Sequence, residues 1–158
     1  MESRQSKEDG QAERKEWVFD DIVKGMQLPD ITYTITSEIL ERYLEGIDDL
    51  NPLYMDEEYA KASPFGGRIV PPISMAIYTT VSSLIRPMGL KIPPGLIQAT
   101  QRYEFTGVAR PDEALRIKSV VEDKYERKGR KFVLLKSEVF NSKGEKIGTS
   151  WLTPIWSK

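Results

Sequence analysis

Asp49-Leu50-Asn51-Pro52-Leu53-Tyr54, followed by Phe65-Gly66-Gly67-Arg68-Ile69-Val70-Pro71-Pro72, is the stretch around which the rest of the chain can be organised. The first run is a turn by composition, because Asp and Asn side chains bond neighbouring backbone amides and the proline fixes the chain after them. The second run leads two glycines into the most hydrophobic part of the molecule. Pro72 suits a first helical turn, whose early positions need no N–H partner. From Ile73 to Ile85 the residues are apolar nearly all round, which predicts a helix buried in a core.

Working outward, Ile31-Thr32-Tyr33-Thr34-Ile35 alternates apolar and β-branched residues as a half-buried strand does. Ser37 offers an N-cap, and Ile39, Leu40, Tyr43 and Leu44 recur at helical spacing up to Gly46. Asp56 to Ala62 reads as another short helix, with acids in its first turn and Lys61 near its end. Beyond Gly95 the period changes to two, and Leu96–Phe105, Ala114–Tyr125, Lys131–Phe140 and Lys146–Trp156 are predicted strands. Arg127-Lys128-Gly129-Arg130 and Asn141-Ser142-Lys143-Gly144 supply residues for hairpin turns between them. A strand, a set of helices with one buried, and an antiparallel meander predict an α+β domain whose sheet wraps a long central helix.

A chain of 158 residues is the size of one domain with one core, expected over residues 17–158. Met1 to Glu16 is polar and of mixed charge without apolar periodicity, so a disordered tail is expected there. A composition of 39% hydrophobic and 30% charged residues with a formal net charge of -1 argues for an ordinary soluble protein and against a nucleic-acid partner. The absence of Cys excludes disulfides and thiolate catalysis, and the absence of His removes the commonest general base and metal ligand. The longest uncharged stretch, Ile69 to Ile85, is too short and too polar to span a bilayer. The first residues are charged and lack an apolar core, so a cytoplasmic protein without membrane association is expected.

This element order, with the turn in front of the buried helix, resembles the hotdog fold of the MaoC-like, R-specific enoyl-CoA hydratase and acyl dehydratase family from roughly Gly25 to the C-terminus. Tyr43, Asp49, Asn51, Pro52, Leu53 and Ala60 stand in order where that family's hydratase signature has its aromatic residue, Asp-x-Asn-Pro, aliphatic residue and Ala. The signature's His position holds Tyr54. Phe65 to Val70 match the glycine-containing segment that follows, but Pro71-Pro72 replace the His-Gly pair that opens the central helix. The two departures together are similar to a branch that includes dehydratase-type domains of fatty acid synthases and degradative acyl-CoA hydratases.

The resemblance implies a lyase that adds water to an enoyl thioester, CoA-bound above all, or removes it from a 3-hydroxyacyl thioester in fatty acid metabolism. Such chemistry needs a base for water, an acid for the α-carbon, and donors for an enolate-like oxygen. Asp49 stands where the family's base stands, and the bare residues read equally as a turn. Tyr54 is the second catalytic candidate. A phenol of ordinary pKa, near 10, is ionised in only about one molecule in a thousand at neutral pH, so Tyr54 orients water or donates a proton rather than replacing a histidine base. The blander reading packs it against the central helix.

Asn51 either organises the loop or touches substrate; Gly66 and Gly67 either let substrate approach closely or form a plain loop. Pro72 has no N–H to give, so Ile73 and Ser74 are the next donors for a thioester oxygen. Thr80 falls where the family often has a small hydroxyl residue, although a helical Thr commonly bonds its own backbone. Arg68, Arg102 and Arg110 are candidates for CoA phosphates. No metal or redox cofactor is implied, since CoA enters as part of the substrate, and acyl carrier protein is the other possible carrier. Two readings remain: an enzyme, or a non-catalytic hotdog subunit that pairs with a His-containing homologue. Both call for association, as a homodimer or as a heteromer with a related hotdog protein, because a lone sheet leaves an open edge.

Overall fold

The computed structural model describes residues 14–157. Five antiparallel strands form one sheet in the order β1-β3-β4-β5-β2. They are β1 (Ile31–Thr34), β2 (Ile97–Phe105), β3 (Ala114–Arg127), β4 (Arg130–Phe140) and β5 (Lys146–Trp156). Alternation decides which face is buried: Leu115, Ile117, Ser119 and Val121 of β3 and Val133, Leu135, Ser137 and Val139 of β4 all turn inward. Lys128 (φ 51) and Gly129 (φ 71) both take the left-handed conformation, which gives the β3–β4 turn the twist of its strands. At the β4–β5 turn the Asn141 side-chain oxygen accepts from the amides of Lys143 (3.0 Å) and Glu145 (2.9 Å).

The α+β architecture is the expected one, and the central segment is helical and buried, with Tyr78, Val81, Leu84 and Ile85 in the core. It is not one helix from Ile73 to Ile85. A 3-10 turn (Pro72–Ser74) leads into α4 (Met75–Tyr78), the chain breaks at Thr79–Thr80, and α5 (Val81–Ile85) resumes. The break is a hydroxyl effect. Thr79 Oγ1 donates back to the Met75 carbonyl at 2.8 Å, and Thr80 leaves helical geometry (φ -78, ψ 154) so that its Oγ1 accepts from the Ser83 amide at 3.2 Å. Such side chains compete with the helical ladder for the same backbone groups.

On the other side of the core, α1 (Ser37–Ile47) is capped by Thr36, whose Oγ1 accepts from the Ile39 amide at 3.2 Å. Ser37, the expected cap, instead donates from its amide (2.9 Å) and hydroxyl (2.6 Å) to the carboxylate of Asp112 in the β2–β3 loop. These bonds hold the Asp112 carboxyl below its ordinary pKa. A carboxyl depressed in the folded state stabilises above its unfolded pKa and loses that contribution as pH falls. Asp112→Asn is therefore expected to lower the melting temperature at pH 7, with the difference from the parent shrinking in melts at pH 3.

The expected tail lies outside the described residues up to residue 13. Residues 15–17 are held by Lys91, which receives the Trp17 amide at 2.9 Å and donates its own amide to the Lys15 carbonyl at 3.0 Å. At the opposite margin, β2 is an edge strand whose residues are exposed except for the half-buried Gln101 and Tyr103.

Candidate functional site

Buried Leu40 and Leu44 fasten α1 to the core and leave Tyr43 half-buried beside them. The chain leaves α1 through Asp48 in the left-handed conformation (φ 53). One Asp49 oxygen then accepts from the Asn51 amide at 3.0 Å, and the Asn51 side-chain oxygen accepts from the Leu53 amide at 3.0 Å. Asn51 thereby caps α2 (Pro52–Met55), so the predicted turn continues into one helical turn with Pro52 at its start. The other Asp49 oxygen makes no hydrogen bond among the described residues.

Tyr54 is half-buried in α2 and packs against the core. Burial, then the Asp49 carboxylate, then the Tyr43 ring system raise its pKa above the ordinary phenol value. Burial and Asp49 do the same to Tyr43. Both phenols are thus protonated donors through the physiological range, placed around one carboxylate. Next to them a cleft of ≈ 430 Å³ opens between α1 and α2, lined by Leu40, Leu44, Leu50, Tyr54, Met55 and Arg68 among others.

After α3 (Glu57–Lys61), the glycine segment is tied to α2 by the Ile69 amide donating to the Leu53 carbonyl at 3.2 Å. Gly66 (φ 66) is exposed, whereas Gly67 (φ 156) is buried, and a Cβ there would stand 3.2 Å from Arg110 Nη1. Arg110 donates to the carbonyls of Phe65 and Arg68, so this guanidinium clamps the loop. Arg102 lies 4.3 Å over the Trp151 ring. Arg68 borders the cleft with its Nε buried and without a partner.

At the opening of the central segment, Ile73 is 48% exposed and Ser74 is buried. The Ser74 amide already donates to the Pro71 carbonyl at 2.9 Å. Thr80 is engaged with Ser82, Ser83 and the cap of α5. The structure thus brings Asp49, Asn51 and Tyr54 together and ties Gly66 and Gly67 to them through the backbone. Ile73, Ser74 and Thr80 share no hydrogen bond with that group.

Sequence reasoning gave no chemical part to Tyr43, whose pKa burial and then the Asp49 charge raise, nor to Thr79 and Tyr103. Tyr103 of β2 has its hydroxyl buried without a hydrogen-bond partner. Burial raises its pKa, the Thr79 side chain partly offsets that, and Tyr43 adds to the rise. Thr79 is buried, one helical turn beyond the buried Met75 of α4, whereas Thr80 is half-buried. Nothing local to Tyr103 announces its position, since β5 and the sheet order carry it there.

The family described as the FAS1-like dehydratase domain region matches residues 23–150. A UPF0336 protein of Streptomyces coelicolor is 24% identical over 126 residues, covering 78% of this chain and 84% of that protein. Among solved structures, the MaoC-like dehydratase from Rhodospirillum rubrum superimposes with a TM-score of 0.73 at 23% identity, over 89% of this chain and 97% of that one. The HadBC (3R-hydroxyacyl-ACP dehydratase) complex from Mycobacterium tuberculosis gives 0.70 at 18% identity, over 85% and 97%. With residues 23–150 matched by the family model, this chain belongs to the FAS1-like dehydratase-region family, and it has the hotdog fold of the MaoC-like dehydratase from Rhodospirillum rubrum.

Proposed function

We propose that the chain serves acyl-thioester hydration or dehydration as a substrate-holding hotdog subunit, paired along β2 with a related hotdog protein that bears the catalytic histidine. The observation that carries this reading is Tyr54. At the family's histidine position stands a phenol that burial and the Asp49 carboxylate keep protonated, so it accepts no proton from water. Other groups that the chemistry would use hold the backbone instead. One Asp49 oxygen anchors the loop, Asn51 caps α2, the Ser74 amide closes a 3-10 turn, and Pro71 and Pro72 offer no N–H. An edge strand as long and as open as β2 is a template for pairing, and the HadBC neighbour is itself a complex. CoA or acyl carrier protein would carry the acyl group.

In the assembly a histidine of the partner would take the proton from water as its oxygen attacks the β-carbon. The same or another acid would protonate the α-carbon of the enolate-like intermediate, while this chain holds the acyl chain and excludes water. A second reading keeps the whole reaction here, with Asp49 as base and Tyr54 orienting water. It is favoured by the Asp49 carboxylate, one oxygen of which makes no hydrogen bond among the described residues and whose charge adds to burial in raising the pKa of both Tyr43 and Tyr54. The proposed site of action is the cytoplasm; no helix among the described residues is long and apolar enough to cross a membrane.

Hydration of trans-2-enoyl-CoA decides between the readings, followed for this chain, for a His-bearing hotdog paralogue from the same genome, and for their mixture. The mixture is expected to exceed the sum of the separate rates by about 10²-fold or more, the low end of what a general base contributes. Turnover by this chain alone that Asp49→Asn abolishes would establish the second reading instead.

A further inference from the structure

Arg68 leaves the glycine segment half-buried, with its Nε enclosed and without a hydrogen-bond partner. No ion pair among the described residues includes its guanidinium. The other arginine of this loop is differently employed, since Arg110 donates to the carbonyls of Phe65 and Arg68 and holds the backbone. A guanidinium keeps its proton at any working pH, so it cannot escape the cost of an enclosed N–H by becoming neutral. A charged donor left in that state marks a place where something outside the chain supplies the acceptor.

Arg68 also stands where a ligand can reach it, because it borders two clefts. The first is the ≈ 430 Å³ cleft between α1 and α2, in which Leu50, Tyr54 and Met55 continue the apolar lining of Leu40 and Leu44. That volume falls within the range of small-molecule sites, about 300–1,000 Å³. The second, of ≈ 580 Å³, is bordered by Gly66, Gly67, Arg110 and the acids Glu57 and Asp112. The acids near Arg68 are placed elsewhere. Asp112 accepts from the Ser37 amide and hydroxyl, and Glu41, Glu45 and Asp48 reach the first cleft only from exposed positions on α1 and its end. Exposed carboxylates are screened by water and salt, yet together they oppose a polyanion, which would also need more than one uncommitted cation. A carboxylate brings a single charge and two coplanar oxygens, which match the Nε–H and a terminal N–H on the same edge of one guanidinium.

We infer that Arg68 binds a carboxylate at the far end of the acyl group, so that the thioester taken up beside Tyr54 is that of a dicarboxylic acid. This rests on the acyl-thioester reading above and adds to it the acyl class and the residue that selects it. Tyr54, at the family's histidine position, lines the same cleft as Arg68, so the reacting end and the anionic end of one short acyl chain share a single cavity, with its methylenes on the apolar lining between them.

The test compares succinyl-, glutaryl- and adipyl-CoA with butanoyl-, pentanoyl- and hexanoyl-CoA. All are saturated thioesters that hydration cannot consume, and each pair differs only in a terminal carboxylate against a methyl group. Calorimetry on the full chain, and on its complex where one forms, is expected to give about tenfold tighter binding of the diacid thioester for at least one pair. Arg68→Met keeps the length and apolar bulk of the stem; it is expected to erase that preference while leaving the affinity for the monoacid thioesters within about twofold and the melting temperature unchanged. Parent protein that binds every monoacid thioester as tightly as its diacid partner overturns the inference and leaves the acyl-thioester reading standing. So does an Arg68→Met variant that keeps the preference, or one that weakens both series equally or melts lower, because that is the signature of a structural arginine. Parent protein that binds neither series overturns the acyl-thioester reading, and this inference with it.

Discussion

Trp156→Ala is expected to destabilise the protein by about 3–5 kcal/mol, a large share of the roughly 5–15 kcal/mol that holds a domain of this size together. Trp156 ends β5 and is 3% exposed. Its ring meets Trp17 edge-on, with centroids 5.4 Å apart and planes at 88°, and its indole N–H donates to the Trp17 carbonyl at 2.7 Å. Trp17 in turn donates its amide to Lys91, so one side chain pins the start of the described chain to the end of the last strand. Truncation leaves a cavity where the indole packed, removes the ring pair and orphans a buried carbonyl. Urea unfolding monitored by circular dichroism reads the loss directly. Trp156→Phe separates the causes, because it keeps most of the ring volume and removes only the N–H; it is expected to cost about 1–3 kcal/mol. A loss below 1 kcal/mol in Trp156→Ala would mean that Trp17 is not docked there in solution.

What the sequence made legible follows from how local its causes are. β3 and β4 are long strands whose inward residues recur at period two, and their turn carries Lys128-Gly129, so composition alone announces the hairpin. The buried character of Ile73–Ile85 was equally plain, because burial of an apolar segment does not depend on its hydrogen-bond pattern. Its continuity was not, since whether Thr79 and Thr80 bond the helix or break it depends on a balance smaller than any periodicity reveals. The cap of α1 was misplaced by one residue for a longer-range reason: Ser37 is drawn to Asp112, 75 positions away, leaving the capping to Thr36. In the site, the run from Asp49 to Tyr54 was visible as a run, and its hydrogen bonds are local enough to have been expected. The burial of the Tyr103 hydroxyl was invisible because it depends on the strand order β4-β5-β2 rather than on local sequence.

The largest functional change is expected from Tyr54→His. The substitution would put an imidazole next to the Asp49 carboxylate, within the electrostatic reach that now raises the Tyr54 pKa. An ionised carboxylate nearby favours the protonated imidazole, so the new base would titrate at or above its ordinary value of about 6.5 rather than below it. Enoyl-CoA hydration by the lone variant is therefore expected to rise by about 10²-fold, toward the low end of a general base's contribution, with the rate increasing through pH 6–8 as the imidazole loses its proton. The gain should stop there, because the helix opening still lacks the donors whose absence costs a further 10²–10³-fold or so in comparable sites. A double-mutant cycle carries the argument to Asp49. In the parent, Asp49→Asn should leave the residual rate unchanged within about twofold, because a carboxylate with no histidine to orient does little. In the Tyr54→His background the same change should remove most of the gain, since the imidazole loses the group that holds it in place. If Asp49→Asn already abolishes turnover in the parent, Asp49 is itself the base, and the chain is an enzyme that works without histidine.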